Sequence, residues 1–295
     1  MNQKQKGRIL LLGAEGFIGS CLMKRLKAAS GRVEGPSLEE LDLLKPRQVK
    51  SVLGRLTGED SVIMAAAITR LSANTSGSML NNIRMASHVA DALERHPPGR
   101  AVYLSTQDVY GTADSRSPVD EHSAPKPSDP YAISKLAGEH ILRAAADKAG
   151  IPLTIFRLPG VYGHGGGGKS AINQMVASAL ADRMVSVHGD GSAVRDYLWV
   201  DDFCALVNAA LEKSVDGLFN AGTGRAHSIR DMARFIADRM PFPVEIRHSP
   251  APEGASARPR GLRVSCATLK AKFRGVSIHS LPDGIGAYLS QLGVR

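Results

Sequence analysis

Short apolar runs alternate along the first half of this chain with longer stretches whose apolar residues recur at helical spacing. The run Gly7 to Leu12 leads into a helix-spaced segment, Ser20 to Ala29, with Ile18, Leu22 and Leu26 on one face. Arg32-Val33-Glu34 reads as a short second strand, and a helix is expected to begin near Pro46. Asp60 to Ala67 predicts a buried parallel strand, Asn81 to Glu94 a helix halted by Pro97-Pro98-Gly99, and Arg100 to Ser105 the next strand. Tyr131 to Ala149 predicts a helix closed by Gly150, and Pro152 to Arg157 a further strand. Strands and helices alternating in this way build a doubly wound parallel sheet, so the chain reads as α/β. Beyond a glycine-rich loop, Gly163 to Gly168, expected to be mobile, the pattern mixes, with Pro- and Gly-rich turns from Pro241 to Ala257. A smaller substrate-binding part is expected there.

Between the first strand and its helix lies Gly13-Ala14-Glu15-Gly16-Phe17-Ile18-Gly19. Strand, glycine turn, helix is the context a dinucleotide fingerprint requires: glycines permit a tight turn and close backbone approach, and the helix N-terminus offers N–H groups to a pyrophosphate. The spacing is Gly-x-x-Gly-x-x-Gly, not Gly-x-Gly-x-x-Gly. Glu34, at the end of the second strand, is either a ribose ligand or a solvated side chain. Asp42 reads equally well as a residue near an adenine and as the cap of the helix beginning near Pro46. No arginine stands where a 2′-phosphate would need one, so NAD is favoured and NADP stays open.

A second signal is Tyr131. Of the six tyrosines it alone has a lysine, Lys135, four residues later. On a helix the two share a face one turn apart. A neighbouring cation favours the phenolate, and such a tyrosine can exchange a proton with a substrate hydroxyl.

Composition narrows the classes. At 295 residues the chain suffices for one large domain or two coupled ones. Cys21, Cys204 and Cys266 are odd in number and widely spaced, which argues for a reducing compartment, no disulfide framework and no metal site. The first apolar run is too short for a membrane span, so a cytoplasmic protein with no membrane association is expected. The net charge is +9, densest in Arg247, Arg258, Arg260, Arg263, Lys270, Lys272 and Arg274. That stretch lacks interleaved aromatics, so an anionic small substrate or a solvated face explains it better than nucleic acid.

Taken together, the motifs resemble the extended short-chain dehydrogenase/reductase family, in its NAD-dependent epimerase/dehydratase group acting on nucleotide sugars. The resemblance rests on Gly13-x-x-Gly16-x-x-Gly19, Ala65-Ala66, Asn82, Ser105-Thr106-Gln107-Asp108-Val109-Tyr110-Gly111, Tyr131-x-x-x-Lys135, Val161-Tyr162-Gly163, Gly189-Asp190-Gly191, Arg195-Asp196-Tyr197 with Val200-Asp201-Asp202, and Phe219-Asn220-Ala221-Gly222. It implies a Rossmann-type domain over 1–162, with 196–222 returning to it, and a nucleotide-sugar-binding part from 163–195 and 223–295. It implies that Gly13, Gly16, Phe17, Ile18, Gly19, Asp42, Leu43, Ala65, Ala66, Tyr131 and Lys135 meet the dinucleotide. Thr106 would bond the oxygen that becomes a carbonyl, Tyr131 would be the general acid/base, and Lys135 would hold ribose hydroxyls and favour the Tyr131 phenolate. Thr106, Gln107, Asp108 and Arg195 would face a nucleotide-diphosphate sugar, Arg195 through its diphosphate. Asn82 would brace the sheet. A homodimer is expected.

Departures set the finer expectation. Relatives that dehydrate sugars carry Asp-Glu after the threonine, where this chain has Gln107-Asp108; glutamine cannot serve as the acid, so 4,6-dehydration is disfavoured. Gly160 replaces an asparagine common before Val-Tyr-Gly. His164 and His188 read as loop histidines without a catalytic task. The favoured activity is NDP-sugar 4-epimerisation. Its alternative is reduction of an NDP-4-keto sugar, as in dTDP-4-dehydrorhamnose reductase, suggested by Leu41-Asp42-Leu43-Leu44 and by Arg258-Pro259-Arg260 with Arg263 and Leu269-Lys270. A non-catalytic dinucleotide-sensing protein ranks third, because such relatives tend to lose the tyrosine–lysine pair.

Overall fold

The computed structural model describes residues 7–111, 118–166, 170–250 and 261–294. The chain divides into two compact units: residues 1–111, 125–157 and 204–219 form one, and 112–124, 158–203 and 220–295 the other.

The first unit is built on a six-stranded parallel sheet. Strand β1 (Ile9–Leu12) is buried throughout and pairs with β2 (Val33–Glu34) on one side and β3 (Ser61–Met64) on the other. Next come β4 (Arg100–Thr106), β5 (Leu153–Leu158) and β10 (Gly217–Asn220), giving the order β10-β5-β4-β3-β1-β2. The winding order therefore reverses between β1 and β3. In open α/β sheets the crevice at such a switch point, outside the carboxyl ends of the strands, takes the ligand.

The connecting helices are α1 (Phe17–Ser30), α2 (Pro46–Leu53), α3 (Ser76–Arg95) and α4 (Pro130–Ala149). One core unites Leu10, Leu12, Val62, Tyr103 and Ile155 of the sheet with Leu53, Leu93 and Leu142 of the helices.

Two of the boundaries that differ from the sequence pattern have a local reason. Helix α3 starts ahead of Asn81, because Thr75 and Ser78 form a reciprocal capping box before any apolar periodicity begins. Strand β3 ends at Met64 rather than Ala67. Four residues on, Asn82 holds both the N–H and the C=O of Ile68, at 2.8 and 3.0 Å, and so replaces a strand ladder with an amide clamp.

Among the described residues, the second unit holds three small sheets. Strand β6 (Gly160–Tyr162) pairs in parallel with β9 (Tyr197–Trp199), and β7 (Met184–His188) with β12 (Glu245–Ser249). Strand β8 (Val194–Arg195) pairs antiparallel with β11 (His227–Ser228). Its core joins Tyr162, Ile172, Val176, Val185, Met232, Ile236, Leu281 and Ile285. Gly167, Gly168, Arg258, Arg260 and most of the turn-rich 241–257 segment's second half lie outside the described residues.

Candidate active site

At the switch point, β1 runs directly into Gly13. This residue has φ +89°, and a Cβ on it would stand 2.7 Å from the Ala66 backbone nitrogen. Only glycine allows the two strand ends to abut this closely. Gly19 is equally constrained, since a Cβ there would lie 2.0 Å from the Gly13 carbonyl oxygen. The N-cap of α1 is Gly16, without a capping side chain, and the first turn holds no acidic residue. The N–H groups of Phe17, Ile18 and Gly19 have no acceptor within the helix and lie at its positive end. A narrow glycine turn under an uncapped helix fits the phosphates of a dinucleotide.

Glu34 is exposed, and its carboxylate ion-pairs with Arg8 at 2.8 Å. Asp42 does not cap α2, whose N-cap is Lys45. Its carboxylate accepts from the Leu44 N–H at 2.9 Å, a local turn, and lies 3.7 Å from the Lys45 ammonium. Leu43 is buried in the core of the unit.

Thr106 closes β4 and caps the 3-10 turn Gln107–Tyr110. Its hydroxyl accepts from the Asp108 N–H and donates to Asp108 Oδ2, both at 3.2 Å. Gln107 is buried. Tyr131 and Lys135 lie in the first two turns of α4, which begins where it does because Asp129 accepts from Ala132 N–H at 3.1 Å and Pro130 presets the first helical residue.

Lys135 is buried, donates to the Leu104 carbonyl at 2.6 Å and rests 4.7 Å above the Tyr103 ring centroid. Burial pushes its ammonium down to about 7, with the Glu139 carboxylate pulling the other way. Tyr131 is pushed well above the ordinary phenol value, first by burial and then by the charges of Asp108 and Asp129, with Arg70 opposing.

Arg70 carried no sequence signal. It sits in the loop after β3, and one of its nitrogens, Nη2, reaches Asp129 Oδ2 at 2.6 Å and Asp108 Oδ2 at 2.9 Å. Its guanidinium carbon lies 5.8 Å from the Tyr131 ring centroid. Thr106 and Tyr131 are thus joined through Asp108 and Arg70. The Asn82 clamp fixes this loop, and the same amide donates to Ser134 of α4 at 3.1 Å. Asn74, from the same loop, accepts from the Tyr131 N–H at 3.1 Å.

Behind the cluster is a sealed ion pair. Arg157 of β5 grips Glu139 of α4 through Nε at 3.0 Å and Nη2 at 2.7 Å, and Ser105 donates to the same carboxylate. The Arg157 guanidinium lies 4.8 Å over the Tyr110 ring. Glu139 stands one turn beyond Lys135, so a third member of the Tyr131–Lys135 face was available as a signal.

In the second unit, Arg195 is exposed. The two aspartates that could have taken its charge are engaged elsewhere. Asp196 accepts from Thr223 Oγ1 at 2.6 Å and the Gly224 N–H at 2.9 Å, and Asp202 pairs with His279 at 2.8 Å. A Cβ on Gly160 would meet the Tyr197 ring at 2.5 Å, so any larger residue there would force that ring to move. His188 hydrogen-bonds Ser249 at 2.7 Å. Among the described residues, no three His, Cys, Asp or Glu side chains gather as a metal site, and no helix is long and apolar enough to cross a membrane.

The family model for the NAD dependent epimerase/dehydratase family matches residues 9–222. The chain belongs to that family. It is 28% identical over 258 residues to an Arabidopsis thaliana trifunctional UDP-glucose 4,6-dehydratase/UDP-4-keto-6-deoxy-D-glucose 3,5-epimerase/UDP-4-keto-L-rhamnose-reductase, covering 77% of this chain and 38% of the relative. The chain spans between 21 and 61% of the length of the first curated relatives it matches. Among solved structures it is similar to a Thermotoga maritima UDP-glucose 4-epimerase with UDP-glucose, at TM-score 0.81 and 23% identity, over 97% of this chain and 98% of that one. It is also similar to a Thermus thermophilus UDP-glucose 4-epimerase in complex with NAD, at TM-score 0.79 and 24% identity, over 97 and 99% of the two chains. At these identities the structures speak for the Rossmann-type fold.

Proposed function

We propose that this protein is an NAD-dependent enzyme that oxidises and re-reduces C4 of a nucleotide-activated sugar, a 4-epimerase. The carrying observation is the gathering of Thr106, Asp108, Arg70 and Tyr131 at the carboxyl end of one sheet whose switch point holds an uncapped glycine turn. Similarity to structures holding UDP-glucose and NAD supports the choice of ligands.

In this reading Gly13, Gly16 and Gly19 cradle the pyrophosphate, with Phe17 and Ile18 supplying N–H donors and Ala65 and Ala66 lining the opposite strand end. Asp42 and Leu43 stand on the adenosine side. Bound NAD would supply a reversible hydride acceptor. Thr106 holds the C4 oxygen by hydrogen bond, and Tyr131 takes its proton as the carbonyl forms; hydride would return to the opposite face of C4 while Tyr131 gives a proton back to the oxygen. Lys135 leaves the Leu104 carbonyl to hold ribose hydroxyls. Arg195 offers a planar fork to the diphosphate. Gln107, being an amide, supplies no acid for loss of water. By function the dinucleotide is assigned to 1–162 with 196–222 and the nucleotide sugar to 163–195 and 223–295, a division that gives 112–124, 158–162, 196–203 and 220–222 of the second compact unit to the dinucleotide, in a homodimer in the cytoplasm.

Replacing Tyr131 by Phe tests the reading. Turnover of UDP- or dTDP-hexoses should fall about 10²- to 10⁴-fold, with dinucleotide binding by calorimetry unchanged. Undiminished turnover would sink the mechanism. Dinucleotide released from freshly denatured protein separates the two activities: stoichiometric NAD favours the epimerase, because a cofactor regenerated in each cycle need not leave. A site filled only on adding reduced cofactor favours the keto-sugar reductase.

A further inference from the structure

We propose that Arg70 is a positioning residue of the Tyr131 site, a guanidinium held over the phenol by Asp108 and Asp129 so that its charge favours the phenolate. The inference deepens the reading of Tyr131 as acid/base and rests on it.

The groups facing Tyr131 come from three elements. The loop after β3 contributes Arg70 and the neutral Asn74; β4 and its following turn contribute Tyr103 and Asp108; the N-cap of α4 contributes Asp129, and Lys135 stands one turn further along the helix. Two of these are carboxylates, and both oppose ionisation of the phenol. Lys135 is the cation the sequence offers for this task, yet its amine is spent on the Leu104 carbonyl and the Tyr103 ring. In that buried place its proton is held only weakly near neutral pH.

Arg70 has neither weakness. A guanidinium stays charged at any working pH, and two ion pairs from a single nitrogen, at 2.6 and 2.9 Å, leave it little freedom to turn away. The same Asp108 oxygen accepts from Thr106. Arg70 therefore orients the hydroxyl that holds the substrate oxygen while it offsets the carboxylate that does so. Its removal uncovers two negative charges at once beside the phenol.

Tyr131 replaced by 3,5-difluorotyrosine in the full chain brings ionisation into an accessible range and reports it by ¹⁹F NMR. Against this background, Arg70→Gln should raise the pH of half-ionisation by about one unit, and Arg70→Lys should leave it near the native value. With the natural tyrosine, the rising limb of the pH–rate profile should move up in Arg70→Gln by a similar amount. An unmoved midpoint in Arg70→Gln, or equal rises in Arg70→Gln and Arg70→Lys, would show that Arg70 only braces the loop, and overturns the proposal. The ¹⁹F midpoint is read without any sugar. A chain that turns over no nucleotide sugar would defeat the proposed function and still decide the part played by Arg70.

Discussion

Two arginine–carboxylate clusters flank the same strand end and helix, and they differ in kind. Arg157 and Glu139 are sealed, with side chains 4 and 6% exposed, and their bonds run between α4 and β5. Arg70, Asp108 and Asp129 are 37, 33 and 25% exposed and meet through one nitrogen. In the sealed cluster the geometry is forked, and Ser105 adds a donor to the same carboxylate. Such a pair holds a helix in register against a strand. In the open cluster Asp108 also accepts from Thr106, and Arg70 lies against the Tyr131 ring. The difference teaches that burial, more than the identity of the charged residues, separates a charge used as scaffold from one available to chemistry.

Breaking the sealed pair should give the largest effect. Arg157→Met strands a buried carboxylate, and a broken buried pair costs about 3–5 kcal/mol. Urea unfolding should show that loss. The double variant Glu139→Leu with Arg157→Met should recover most of it, because two charges then no longer need to leave water. A double variant as unstable as the single one would mean that the pair contributes attraction beyond its desolvation cost.

Lys135 sits between the clusters and gives the next effect. Its value in the folded chain, about 7, lies below the ordinary 10.5, so the unfolded chain holds this proton more tightly. Wherever the unfolded state binds more protons, stability rises with pH. The contribution of Lys135 should therefore be flat below about pH 7 and grow in favour of the fold from there toward pH 10.5. Unfolding free energies of the native chain minus those of Lys135→Met, measured across this window, should climb with pH. A falling difference would mean the ammonium is stabilised inside, with Glu139 dominating burial.

The sequence made one of these clusters half legible and the other not at all. Regular periodicities showed the sheet, α4 and the Tyr131–Lys135 face, because i and i+4 positions on a helix are fixed by geometry alone. Gly13 and Gly19 were legible for the same kind of reason: their backbones admit no side chain. Arg70 was not, since it lies in an irregular loop and its partner Asp129 is 59 residues away. Only the sheet order brings such a loop beside the start of α4. Glu34 and Asp42 were legible as candidates but not in their partners, because an ion pair with Arg8 depends on how β1 and β2 register.

The smallest effect tests the open cluster at Asp129, which has two tasks. Its Oδ1 caps α4 through Ala132, and its Oδ2 pairs with Arg70. Asparagine can cap a helix but carries no charge, whereas alanine does neither. Asp129→Ala should lower stability by about 1 kcal/mol, the usual cost of a lost cap. Asp129→Asn should stay within about 0.5 kcal/mol of the native chain, as expected for a partly exposed ion pair. The two should nevertheless act alike on Tyr131. Each removes a carboxylate that opposes the phenolate, so the rising limb of the pH–rate profile should shift downward in both, opposite to Arg70→Gln. Equal stability losses in the two variants would mean that the charge, and not the cap, holds the start of α4. The open cluster would then be scaffold like the sealed one.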